Sequence, residues 1–379
     1  MEEQQLRKGQ PDFIILILTF ILTGIGLVMV YSSSQIHAYT GWGDSTYFIK
    51  QQVRNGMLGL VVMFVVMNIP YRIYRKFIPL ILLGLLVLMT LVFIPGLGVE
   101  AKGAQRWLYI GPINLQPSEL VKIGLVIYLA SIYSKKQEYI SDFKRGVVPP
   151  LVVVAIFFTL ILMQRDLGTG MSVIFFTLVM IFCSGAQFKH ILGLGILSGI
   201  IGSIFIFTQS YRLERFTSFL DPWSDPLGSG FQLTQSLIAI GNGGFLGKGF
   251  GNSIQKYMYL PEAHTDFIFA IIAEELGLLG ISFILLCYVL LLLRGIRAAV
   301  RCPDSFGTLL GIGIVAMIGV QVLINIAVVS GRLPVTGITL PFLSYGGTSL
   351  ILTLSSIGIL LNVSRYAVEE EVPNQRSVN

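Results

Sequence analysis

Asp266 ends the polar run Pro261-Glu-Ala-His-Thr-Asp266 and is followed at once by apolar sequence, so a carboxylate stands at the mouth of an expected membrane helix. Set there, it can act as a general base that takes a proton from a hydroxyl, and His264 is a candidate substrate contact beside it. The structural alternative is a helix cap by Thr265 or Asp266. Neither is followed by Glu or Gln three positions on, so no capping box supports it. Glu274 and Glu275 follow two to three turns into the same run, at roughly 12–14 Å of rise. Ionisable residues in such a run face a cavity or a partner, which makes Glu275 a candidate site residue and a structural ion pair the alternative.

Gln116-Pro-Ser-Glu119-Leu-Val-Lys122 opens another apolar run, with Pro117 suited to a first helical turn. Glu119 and Lys122 are i, i+3 neighbours and can pair. Lys122 could also donate to an anionic substrate or to Asp266, and the readings are compatible. Lys102 and Arg106 in KGAQRW, Arg165 in QRDLGTG, Arg212, Arg215 and Arg332 are each ordinary loop charges. Together they would form a vestibule for pyrophosphate, to which guanidinium is suited. The glycine-rich GNGGFLGKGFG, residues 241–251, matches neither nucleotide-binding glycine pattern. A flexible re-entrant turn packed on the amphipathic Phe231–Ile240 stretch explains it, and phosphate contact by its backbone N–H groups stays open.

The elements that must carry these residues follow from composition. With 54% hydrophobic and 12% charged residues over 379 positions and a mean hydropathy of +0.78, the chain reads as a polytopic membrane protein. Ten apolar runs approach the roughly 20 residues a hydrocarbon core requires, near 13–33, 55–70, 77–95, 116–134, 147–164, 169–184, 190–208, 266–293, 306–330 and 345–364. Backbone groups in lipid must be satisfied internally, so the expected fold is all-α, one domain over 1–379 with ten transmembrane helices. A 57-residue outer loop, 209–265, joins helices 7 and 8. Its aromatic residues, few charges and apolar periodicity at Leu233, Leu237 and Ile240 argue for order.

Orientation follows from Lys and Arg. With the N-terminus inside, inner segments hold fifteen and outer segments six: Lys50, Arg54, Lys102, Arg106, Arg165 and Arg332. Lys122 lies within a run, and the four in the long loop are discounted because long loops translocate regardless of charge. Both termini are therefore expected in the cytoplasm and the long loop outside. The apolar run after MEEQQLRKGQPD has no small-residue cleavage site and reads as a retained first span. Basic residues never form a run, against nucleic acid, and Cys183, Cys287 and Cys302 suggest neither a disulfide framework nor a zinc site.

GLVMVYSSS, KGAQRWL, QPSELVK, DLGTG, DPLGSGFQLTQSLIAIGNGG, PEAHTDFIFAIIAEELG and PVTGITLPFLSYGGTS stand in this order and cover most of the chain. In these motifs the chain resembles the SEDS proteins (shape, elongation, division and sporulation), and LPFLSYGGTS and LLNVSRY are closer to the FtsW and SpoVE branch than to RodA. The resemblance implies a peptidoglycan glycosyltransferase that polymerises lipid II on the outer face of the bacterial cytoplasmic membrane, at the septum or in sporulation, releasing undecaprenyl pyrophosphate. It implies a class B penicillin-binding protein and other divisome or sporulation proteins as partners. The essential loop aspartate falls on Asp266 and the fourth-span pair on Glu119 and Lys122. Family members commonly have Pro where this chain has Arg165. The one candidate cofactor is a divalent cation, Mg or Mn, assisting the pyrophosphate. The rival readings are a lipid II flippase and a non-catalytic scaffold.

Overall fold

The computed structural model describes residues 9–101, 104–110, 113–208 and 210–367. Its helices are α1 (Phe13–Trp42), α2 (Tyr47–Asn68), α3 (Arg72–Lys76), α4 (Ile78–Leu91), α5 (Pro117–Lys135), α6 (Val148–Met163), α7 (Leu167–Cys183), α8 (Phe188–Phe207), α9 (Ser210–Leu220), α10 (Phe231–Gly243), α11 (Ile268–Val300), α12 (Ser305–Val329) and α13 (Gly347–Ser364). Each of the ten apolar runs carries a helix among these residues. Five are long and apolar enough to cross a membrane by length and composition.

Boundaries move where local chemistry overrides hydropathy. α1 continues past the apolar run through SSSQIHAYT and stops at Gly43, whose φ of 71° closes it and whose N–H donates to the Tyr39 carbonyl. Its start is capped by Asp12, which accepts from the Ile14 and Ile15 amides and pairs with Arg294 of α11 at 2.8 Å. α2 begins eight residues ahead of its apolar run. The long connection between α8 and α11 holds two helices, α9 and α10, separated and followed by turns. The connection before α5 forms a small antiparallel sheet that the helical pattern did not suggest: β1 (Gly98–Ala101), β2 (Ala104–Ile110) and β3 (Ile113–Leu115), with Leu108 opposite Leu115.

The centre of the bundle is α12, which packs against α5, α7, α11 and α13. Small residues allow this approach: a β-carbon at Gly313 would lie 2.6 Å from Val126 and 2.9 Å from Met180. α11 is broken at Gly277 (φ 63°, ψ −165°), which strands the carbonyls and amides around it. The glycine-rich loop after α10 satisfies them. Lys248 and Gly249 amides donate to the Glu274 and Glu275 carbonyls at 2.9 and 3.0 Å, and Leu278 and Leu279 amides donate to the Gly244 and Phe245 carbonyls. Within lipid such a splice is obligatory, since no water is present to take these groups. The loop thus packs into the break in α11, a role its sequence did not reveal.

Candidate active site

Asp266 lies half-buried in the turn that leads into α11. Phe267 holds the cap position with no side-chain bond. The connector between α12 and α13 builds the surroundings of Asp266. Asn325 Nδ2 donates both to the Asp266 carbonyl at 2.8 Å and to the Ile338 carbonyl at 2.6 Å. Gly337 is the residue between Thr336 and Ile338, and a β-carbon on it would sit 3.3 Å from Asp266 Oδ2. The Ser344 hydroxyl donates to the Thr265 carbonyl at 2.6 Å, and the Tyr345 amide to the His264 carbonyl at 2.9 Å. α2 braces the far end of this connector, with Gln52 Nε2 donating to the Ser344 carbonyl at 3.0 Å.

Glu119 and Lys122 pair at 2.8 Å with both side chains buried. Lys122 Nζ also donates to Gln321 Oε1 at 2.8 Å, and Gln321 Nε2 donates to the Thr339 carbonyl at 3.0 Å. The pair lines a cavity of about 10 Å³ with Met317, Gln321, Thr353 and Ser356, room for roughly one water. Asp266 and the ion pair are therefore tied to the same connector from two sides.

The basic residues divide. Arg215 of α9 donates from Nη1 to the Val335 carbonyl at 3.1 Å, two residues from Gly337. Arg332 is exposed at the start of the connector. Arg106 instead serves the DLGTG turn, lying 3.7 Å from Asp166 Oδ1 and donating to the Gln164 and Arg165 carbonyls. Asp166 caps α7 through the Thr169 amide at 3.2 Å and also accepts from Ser118 and Gln116 of the α5 entry. Arg165 is exposed at φ 58°, a backbone conformation closed to proline. Lys102 lies outside the described residues, and Arg212 sits on α9 with its side chain likewise outside them.

Two candidate residues are drawn elsewhere. His264 is buried, not at the surface, and its ring packs 4.5 Å from Phe48, 5.3 Å from His37 and 5.6 Å from Tyr345. Glu275 is fully buried and accepts from Ser32 at 2.7 Å and from Lys256 Nζ at 3.2 Å. Glu274 pairs with Lys248 at 2.8 Å and accepts from Ser253. The two glutamates hold the glycine loop and α1 to the break in α11, the structural ion-pair arrangement. Sequence reading missed Gln321 and Asn325. Their signal was two amides four residues apart in an otherwise apolar span.

The family model described as Cell cycle protein, covering FtsW, RodA and SpoVE, matches residues 13–369. The chain belongs to the FtsW/RodA/SpoVE family. Stage V sporulation protein E of Bacillus subtilis (strain 168) is 48% identical over 363 residues, covering 95% of this chain and 99% of that one. The Probable peptidoglycan glycosyltransferase FtsW of Geobacter sp. (strain M18) is 44% identical over 355 residues, covering 93% and 96%. A chain from the structure "Structural coordination of polymerization and crosslinking by a peptidoglycan synthase complex" superposes with a TM-score of 0.79 at 30% identity, over 95% of this chain and 99% of that one. Thermus thermophilus Rod shape determining protein RodA does so with a TM-score of 0.68 at 28% identity, over 95% and 98%. FtsW/RodA/SpoVE membership makes this chain a multi-pass helical membrane protein.

Proposed function

We propose that this chain is a peptidoglycan glycosyltransferase polymerising lipid II on the outer face of the bacterial cytoplasmic membrane, with both termini cytoplasmic. Lipid II carries its pyrophosphate on the anomeric carbon, so the energy for the bond is in the substrate and no nucleotide is needed outside. The acceptor hydroxyl attacks that carbon, its proton passes to the Asp266 carboxylate, and the carbon–oxygen bond to undecaprenyl pyrophosphate breaks. A single displacement inverts the centre and needs one base where an inverting hydrolase uses two carboxylates. Arg215 and Arg332 supply positive charge for the leaving group.

The observation that carries this reading is the connector Arg332–Gly346, against which Asp266 lies at Gly337 while Arg215 is held at Val335. A base and a cation are thereby fixed on one segment. Among the described residues no three His, Cys, Asp or Glu side chains gather to hold a metal. A Mg or Mn ion, which binds through one or two carboxylates together with substrate phosphates, would assist departure of the pyrophosphate. The neighbouring peptidoglycan synthase complex supports a class B penicillin-binding protein as partner, with septal or sporulation proteins beyond it.

The broken α11 favours a second reading, a lipid II flippase, since discontinuous helices are a transporter device. Labelled lipid II in detergent micelles separates the two. The purified protein should form glycan polymer, more with a cognate class B penicillin-binding protein than without. Absence of polymer in both conditions would leave flipping or scaffolding.

A further inference from the structure

Gln321 and Asn325 are one turn apart on α12, the most central helix, and both are buried at 4% and 1% exposure. An amide in an apolar span has to be matched with partners, and each of these is matched on the same connector. Asn325 spends both protons of its Nδ2 on carbonyls, one from Asp266 and one from Ile338. Gln321 accepts from Lys122 and donates to the Thr339 carbonyl. Two successive connector residues, Ile338 and Thr339, are therefore gripped from one helix. The residue before them, Gly337, is the one that faces the Asp266 carboxylate.

We propose that Gln321 and Asn325 are positioning residues that lock the Glu119–Lys122 pair, the Gly337–Thr339 segment and the Asp266 turn into one rigid unit. This inference rests on the reading of Asp266 as the base. Asp266 sits in the turn ahead of α11, which is itself broken further on at Gly277. The turn's own bonds, from the Thr265 and Phe267 amides to the Glu262 carbonyl, set its local shape, and the lateral bonds from Asn325 and Ser344 set its place against α12 and the connector. Misplacing a base by about 1 Å can cost roughly 10²-fold in rate.

The test uses full-length Asn325→Ala, Asn325→Asp and Gln321→Met in detergent with labelled lipid II. Asn325→Ala and Gln321→Met should each lower kcat for glycan formation at least about tenfold, with KM within about threefold. Adding Asn325→Ala to Asp266→Asn should cause no further loss. Amide hydrogen exchange should rise in residues 264–267 and 336–346 in Asn325→Ala while the rest of the bundle stays protected. Asn325→Asp keeps the shape with at most one donated proton, so it should lose an intermediate share of kcat and serves if the alanine variant fails to fold. Wild-type kcat in the Asn325 variants, losses that multiply with Asp266→Asn, or unchanged exchange in both segments would overturn the proposal. If the wild-type protein makes no polymer yet Asn325→Ala loosens both segments, the clamp stands and the glycosyltransferase reading falls.

Discussion

Gly337 and Asp266 meet so closely that a β-carbon on the glycine would lie 3.3 Å from the carboxylate oxygen Oδ2, and Gly337 itself has φ 75°. Any side chain there is strained, by about 1–3 kcal/mol, and crowds the proposed base. Gly337→Ala should lower polymerisation by more than about tenfold while the helical content is kept. Circular dichroism with a glycan gel assay reads both, and full activity would show that Asp266 tolerates displacement.

Asp266→Asn preserves size but cannot accept a proton. Polymerisation should fall by at least about 10². Asp266→Ala separates the two roles: a stability loss of roughly 1 kcal/mol is what a missing cap would give, whereas lost polymerisation with an unchanged melting temperature points to the base. An active Asp266→Asn enzyme would move the base elsewhere, with Glu262 the next carboxylate to test.

Lys122 has no solvent to retreat to. Its side chain is 5% exposed and that of Glu119 9%. Lys122→Ala leaves a buried carboxylate without its cation, at a cost of several kcal/mol, so both thermal stability and activity should drop. Lys122→Met with Glu119→Gln removes both charges and should recover much of the stability while staying inactive. Melting curves of the three proteins decide this.

Gly247→Ala should be among the more damaging changes far from Asp266. Gly247 has φ 77°, and its β-carbon would fall 2.2 Å from the Glu275 carbonyl, inside the splice that closes the broken helix. Strain and lost backbone bonds should lower the melting temperature by several degrees. Differential scanning fluorimetry in detergent checks it.

The inside-out arrangement predicts that single cysteines at Ser229 and Glu138, in a cysteine-free background, label from outside and inside respectively. Both positions are exposed. The reverse pattern would turn the proposed site towards the cytoplasm.

The helices were legible because a span in lipid has one solution, an apolar run with internal hydrogen bonds. The Glu119–Lys122 pair was legible for a similarly local reason, since i, i+3 spacing brings the two charges together. What escaped was non-local. GNGGFLGKGFG gives no sign of the helix it mends, because its partners lie some thirty residues on and, apart from the Glu274 side chain, offer backbone atoms. The approach of Arg106 to Asp166 had no local signal either, because the two residues come from different connections. The enclosure of His264 had no local signal, because the rings around it come from α1, α2 and the connector. Gln321 and Asn325 stood in plain view and were passed over, since reading for apolar runs treats polar exceptions as noise when in lipid they are the signal.

The break at Gly277 also decides how a push on this molecule is transmitted. A continuous rod would carry a twist applied at the end that bears Arg294 and Arg297 straight to the Asp266 turn. Here the first portion, Ile268 to Leu276, is a separate short lever seated on backbone bonds from Lys248 and Gly249. Motion of the remainder of α11 therefore reaches the carboxylate only after passing through a glycine joint, and a load on the connection that carries α9 and α10 reaches it first.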